Sequence, residues 1–567
     1  MLLIHAKNDR HSIYSHYLAE ILRLEGFADF AEAELTALDA AALAQHDLVI
    51  LPRCATTAGQ AEQLQHYVIQ GGRLIAFLPD PYLARRFGLT PTWRGIDNGW
   101  LHAAKTLPIW QGLCCEPMQI ITPAVGWQIA EGTAVQLLAH VHATSDPADP
   151  ANQPGIAWCQ VGAGDALCFA YDLPHAIARL RQGDPAHADL SYAGLDGIVR
   201  PSELFVGQLA VAQMLLPQAD IQTALLARLI ETLAPRPRLW YYPEISQQSV
   251  VIMTSDDDWS THEQFDALLA GLRRFHATCT FYVVPETKLT LELIEQWEAE
   301  GHTFSVHPAL AGDIRSMLAK DEPQATQVEG MLRENVARHV AQLGRTPRTI
   351  RQHAIRWLGY VDAARILAEL GVEMELNYLS VHPFSLGYMA GSGRPLPFVD
   401  TDGALIPCYQ QPTLWTEEVL IHPRFVFSFK WTVEEALEIV GKIIQRAAHE
   451  FYTPITFNSH PVSFATYSSP LIEGTWQLAL AAGMTIISAD HWLDWTLARN
   501  GVRTELTAEG CIVHALHAMP ALTLLLPPNL TVVGRGVAST QVDRWGRQYT
   551  AATLHDLAAG EKRQIGW

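Results

Sequence analysis

Charge is scarce in this chain, and positive charge scarcest: 39 Lys and Arg stand against 59 Asp and Glu among 567 residues, a formal charge of −20. No basic cluster interrupts that balance, which excludes nucleic acid and anionic membrane as main partners. No run reaches the ~18 apolar residues that a membrane span needs. The N-terminus "MLLIHAKNDRHS" has only four apolar residues in a row before polar and charged ones, so it reads as a first strand rather than a signal peptide, and the expected location is cytoplasmic. The eight cysteines (Cys54, Cys114, Cys115, Cys159, Cys168, Cys279, Cys408 and Cys511) form no CxxC pair. Their scatter argues against a zinc knuckle or a disulfide framework and for reduced, partly buried thiols. Nothing in the sequence sets an oligomeric state.

What is present is apolar residue in quantity, 49% of the chain, enough for two to four globular domains with large cores. Short apolar runs alternate with amphipathic stretches over the first 230 or so residues: "MLLIHA", then "SIYSHYLAEILRLEG", "DLVILPR", "AEQLQHYVIQGG" and "RLIAFLP". That alternation predicts a parallel α/β sheet. "GIAWCQVGAGDALCFAYDL" predicts two strands joined by a glycine turn, and no helix follows those glycines to make a phosphate loop. Two prolines and an aromatic cluster in "PRPRLWYYPEIS" predict a linker at 235–247. A second α/β rhythm runs from 248 to about 500, and seven or eight strand–helix units over that length suggest a barrel or a distorted one. Residues 501–567 predict a small β module.

The polar residues of the second unit cluster at strand ends. "TSDDDW" places Asp256, Asp257 and Asp258 after an apolar strand, and His307 closes another. Arg351 and His353 end the next, and Asn458 and His460 end "PITFNSH". In a parallel barrel these ends share one face, where loops build active sites. Asp and neutral His suit Zn²⁺ or a similar divalent ion, which lowers the pKa of a bound water. A second carboxylate could take the water's proton and a histidine opposite could protonate a leaving group, the equipment for amide or ester hydrolysis.

Taken in order, "TSDDDW", "EGHTFSVHP", "IRQHAIRW" and "PITFNSHP" resemble the motifs of the NodB-type polysaccharide deacetylases, carbohydrate esterase family 4, over about residues 248–495. The resemblance implies a deacetylase-type distorted (β/α) barrel acting on an N-acetylated or O-acetylated carbohydrate. It implies Asp256 as general base, Arg351 as its orienting partner, His460 as general acid, and Asp257 and His307 as metal ligands. The family's third ligand position holds Ala311 here; His353, two residues past Arg351, is the replacement expected from geometry. Asp258, where the family commonly has glycine, is expected to cap the following helix, with approach to the metal as the alternative. His382, His422 and His491 are left as structural or substrate-contacting groups. The insertion at about 380–425 is expected to wall the carbohydrate site. Residues 1–235 resemble the class I glutamine amidotransferase-like domain, a flavodoxin-like fold. Pro79 and Asp80 stand where that family's nucleophilic cysteine sits, and Cys54 follows the wrong strand, so a non-catalytic domain is expected. The alternatives are an inactive carbohydrate-binding protein on the deacetylase fold, or a glycosidase on a related barrel using Asp256 and Asp258.

Overall fold

Four short runs, one of them (Leu48–Leu51) wholly apolar, begin the first sheet of the computed structural model, whose described residues are 1–7, 9–191, 197–310, 324–380 and 386–567. The sheet has nine strands in the order Ala31–Glu34, Leu2–His5, Leu48–Leu51, Arg73–Phe77, Gly164–Phe169, Asn152–Val161, Ala134–His142, Trp100–Ala103 and Met118–Gln119. The first five run parallel and the last four pair antiparallel. The expected parallel half and glycine-turned hairpin are both present. The antiparallel extension and the edge strand "AEAE" went unread, because two of its four residues are charged and its surface is largely open.

The second sheet is curled and open. Its order is Leu396–Val399, Leu405–Gln410, Met374–Glu375, Thr349–Ile350, Thr303–Val306, Thr280–Val283, Ser249–Asp256, Ile455–Ser459 and Trp415–Thr416, with Met484–Ser488 also paired to Ser249–Asp256. Every pairing is parallel except the hairpin of Leu396–Val399 with Leu405–Gln410. Ser249–Asp256 is buried along all eight residues, as a strand covered on both faces must be. Between the two ends of the curl, the described residues contribute one isolated bridge, Leu379 to Thr413. The result is a half-barrel whose carboxyl ends face one way.

One expectation fails locally and another holds in part. "EVLIHPRFVF", whose apolar and aromatic residues predict one of the strands of the second α/β rhythm, instead starts inside the helix Glu417–Ile421, because Thr416 accepts the Val419 N–H and Glu417 and Glu418 occupy the first turn, where acidic groups favour a helix. The insertion at about 380–425 is divided: Tyr388, Met389, Ala390, Arg394, Leu396 and Phe398 are buried in the interior, whereas Thr416, Glu418, Val419 and Phe425 line the cleft as a wall was expected to.

The expected linker is also an interior element. Arg238–Leu239 is a strand paired with Met519–Leu526 of the C-terminal sheet, and Trp240 and Tyr242 are fully buried. Gly26, at φ +89°, ends the helix Ser15–Leu24 directly against this strand, where a Cβ would meet the Leu239 carbonyl. Beside it the buried Glu25 carboxylate accepts from Thr223 Oγ1 (2.6 Å), Tyr241 Oη (2.6 Å), Arg394 Nη1 (2.9 Å) and the Arg238 guanidinium. Four segments far apart in sequence thus share one carboxylate. Burial alone would raise the Glu25 pKa, but Arg238 and Arg394 hold it below the usual value. A depressed folded-state pKa contributes stability above the unfolded value of about 4.3, lost as pH falls through the folded value. Glu25→Gln leaves two guanidinium groups short of their counter-charge, so denaturant unfolding at pH 7 is expected to show a loss of about 3–5 kcal/mol. That loss should shrink below about pH 4; a variant as stable as the parent at pH 7 would contradict the role given to Glu25.

Candidate active site

The site begins where Ser249–Asp256 ends. Asp258 (φ 42°) and Trp259 (φ 58°) are consecutive left-handed residues, a conformation that costs roughly 1–2 kcal/mol per non-glycine residue. The turn they make sends the three aspartates in different directions. Asp257 folds into the protein, where its Oδ1 accepts the Ser260 N–H at 3.0 Å and its carbonyl accepts the Ser260 hydroxyl. Burial pushes its carboxyl up to about 6, and it does not line the cleft. The helix His262–Arg274 takes Thr261 as its N-cap residue, so Asp258 is not needed there. Asp258 instead turns into the cleft.

Asp258 Oδ1 is buried with no hydrogen-bond donor. It lies 3.4 Å from His307 Nε2 and 4.0 Å from His353 Nε2, and Oδ2 lies 3.7 Å from His460 Nε2. Burial would raise its pKa, but the three imidazoles hold it well below the usual carboxylate range. His307 Nδ1 lies 2.7 Å from the Arg351 carbonyl; donating there leaves Nε2 free toward Asp258, the orientation a ligand histidine needs. His353 sits in a tight turn with Ala354 and Ile355 both at positive φ, and its N–H donates to the Pro308 carbonyl. Burial pulls its pKa down to about 4, so it is a neutral nitrogen donor near pH 7.

Asp256 faces the same cleft from another side. Its Oδ2 accepts the Asn458 amide at 2.8 Å, and its Oδ1 lies 3.6 Å from Arg351 Nη1. Thr254 ties these two together, accepting from Arg351 at 2.6 Å and donating to Asn458 Oδ1 at 2.8 Å. Arg351 is 1% exposed and is fixed further by Thr413 and the Leu376 carbonyl. His460 Nε2 is 4.0 Å from Asp256 Oδ2, and its Nδ1 and backbone N–H both contact Glu417 Oε1, at 2.8 and 2.9 Å. Burial would lower the His460 pKa, but Glu417 and Glu418 raise it well above 6.5.

The cleft is a cavity of about 240 Å³ whose apolar side is Ile355, Leu379, Val419, Phe425 and Phe427. Asp256, His307, Arg351, His353 and His460 all line it, as does Asp258. Glu417 was not singled out in the sequence; the double glutamate after Thr416 was its signal, hidden by reading that stretch as a strand. His422 Nδ1 accepts the Arg424 and Phe425 N–H groups, a turn role, and His491 belongs to the helix Ala489–Asn500 away from the cleft. Ala311 and His382 lie outside the described residues.

Carbohydrate deacetylases are among this chain's neighbours in solved structures. The structure of Agd3, described as a novel carbohydrate deacetylase, is 11% identical, covering 100% of this chain and 99% of that one with a TM-score of 0.43. The polysaccharide deacetylase Bc1974 from Bacillus cereus is 13% identical, over 42% of this chain and 91% of its own, at 0.28. A family 4 carbohydrate esterase from Streptomyces lividans, solved with acetate, is 11% identical over 42% and 91%, at 0.26. No family model and no curated protein sequence matches.

Proposed function

We propose that the protein is a metal-dependent hydrolase that removes acetyl groups from an N-acetylated, or less readily an O-acetylated, carbohydrate. The observation that carries this reading is the buried, donor-less Asp258 Oδ1 aimed at two imidazole nitrogens. One carboxylate oxygen and two imidazole nitrogens form a donor set suited to Zn²⁺ with an open position, with the ion displacing the proton that Asp256 and Asp258 favour on His307. Asp258, His307 and His353 would hold the ion, and Asp258 replaces Asp257 in the ligand set that the family resemblance implied. When bound, the cation supplies Lewis acidity toward a water and a carbonyl oxygen.

Asp256 is the base in this scheme. Arg351 and Asn458 stabilise its anion and aim it into the cleft, so it can take the proton of the attacking water. His460 is the acid: Glu417 accepts the Nδ1 proton and, with Glu418, favours the doubly protonated ring, so Nε2 carries a second proton for the departing amine or alcohol. The products are acetate and the free amino sugar. Residues 1–235 we read as a non-catalytic unit, amidotransferase-like in pattern. Leu78, at φ 44°, occupies the turn after Arg73–Phe77, and Asp80 is committed to capping Pro81–Arg86. The Cys54 thiol is pushed up to about 12, chiefly by burial, which leaves little nucleophilic thiolate.

Acetate release from N-acetylglucosamine oligomers tests the reading. Turnover is expected in the zinc-loaded protein, loss after chelation, and recovery on adding zinc back. Tight oligosaccharide binding without acetate release at any metal loading would favour the binding-protein alternative.

A further inference from the structure

The first sheet gathers two histidines and a glutamate remote from the cleft in sequence, spaced closely enough to share an ion. His5 ends the strand Leu2–His5, His16 lies in the first turn of the helix Ser15–Leu24, and Glu32 belongs to the edge strand Ala31–Glu34. One ligand atom from each lies within 4.8 Å of the other two, the one such trio of His, Cys, Asp or Glu among the described residues. His5 Nε2 is 2.7 Å from Glu32 Oε2, and the two imidazoles stack with centroids 4.4 Å apart.

The surroundings leave these donors underused. His5 is 3% exposed, and its Nδ1 is buried without a hydrogen-bond partner. Neither ring nitrogen of His16 makes a hydrogen bond among the described residues. Arg23 holds the other Glu32 oxygen at 3.1 Å, and Lys7 is drawn off to Glu34 at 3.5 Å. Glu32 is thereby oriented with Oε2 toward the histidines, much as an outer partner orients a ligand carboxylate. Glu32 and His16 are partly exposed, so an ion has a way in.

We propose that His5, His16 and Glu32 form a second binding site for a divalent transition-metal ion of the zinc class. Two imidazoles and one carboxylate satisfy three positions of a tetrahedral ion, and such a donor set excludes Mg²⁺ and Ca²⁺ as natural occupants. The site would clip the four-residue edge strand, and the start of the helix, to the neighbouring strand Leu2–His5.

The test compares metal content in the full-length chain after chelation, reloading with zinc and removal of free ion. The wild type is expected to hold one equivalent more than His16→Ala and one more than Glu32→Gln. Acetate release from N-acetylglucosamine oligomers should be unchanged in both variants. Cobalt(II) should give a visible absorption component in the wild type that both variants lose. Equal metal content in wild type and a folded Glu32→Gln or His16→Ala variant would overturn the proposal. This outcome is separable from failure of the hydrolase reading, because Asp258→Asn removes only the cleft ion and should leave this site's equivalent in place.

Discussion

Asp258→Asn is expected to abolish acetate release and to remove the cleft's metal, while Asp257→Asn keeps most of both. The expectation rests on where the two carboxylates point. Asp257 accepts the Ser260 N–H through Oδ1 and stays out of the cleft lining, whereas Asp258 faces His307 and His353 across 3.4 and 4.0 Å. An amide oxygen is a far weaker partner for a dication than a carboxylate, and two remaining imidazoles are too few for a firmly held zinc. Asp257→Asn retains an acceptor for Ser260 and removes a buried group whose pKa is already pushed up to about 6, so a modest change in stability is the most it should cause. Metal analysis and acetate assays on the two variants give the comparison directly. Metal lost from Asp257→Asn and kept in Asp258→Asn would restore the ligand set implied by the family motif.

The second large effect is expected at His460. His460→Gln should lower turnover by about 10²–10⁴-fold, the usual contribution of a positioned proton donor, with metal content close to wild type. Glu417→Gln should lower it too, by a smaller factor, because it weakens the hold on Nδ1 without removing the acid. A positioning role predicts a particular signature for Glu417→Gln: the pH–rate profile should shift toward acid on its falling limb. The sign follows from the charges, since Glu417 and Glu418 raise the His460 pKa, and removing one lowers the pH at which the imidazole gives up its proton. Loss of turnover with an unmoved profile would make Glu417 a structural group only. Loss of metal in His460→Gln would move His460 into the ligand set.

The strand ends were legible because short continuous apolar runs and their polar termini are local features. Asp256, His307, Arg351, His353 and His460 each follow such a run, and the parallel curl gathers their side chains into one cleft. Which aspartate faces inward was not legible. It depends on two left-handed residues, Asp258 and Trp259, and nothing in "DDDW" marks that turn as glycine would. Glu417 was missed because a β-rich composition in "EVLIHPRFVF" masked the capped helix before it. The segment 235–247 has the prolines and aromatics of a linker, yet its burial is decided by Glu25 and by Met519–Leu526, hundreds of residues apart. Contacts of that range leave no pattern in a short window.

The central claim is that Asp258, His307 and His353 hold the ion that makes this cleft hydrolytic. Anomalous diffraction at the zinc edge, from crystals of the zinc-loaded protein, tests it most directly. The expected result is a peak at coordination distance from one Asp258 oxygen and from Nε2 of both His307 and His353, about 2.0–2.2 Å. A peak coordinated by Asp257, or no peak in the cleft of protein that releases acetate, would contradict it.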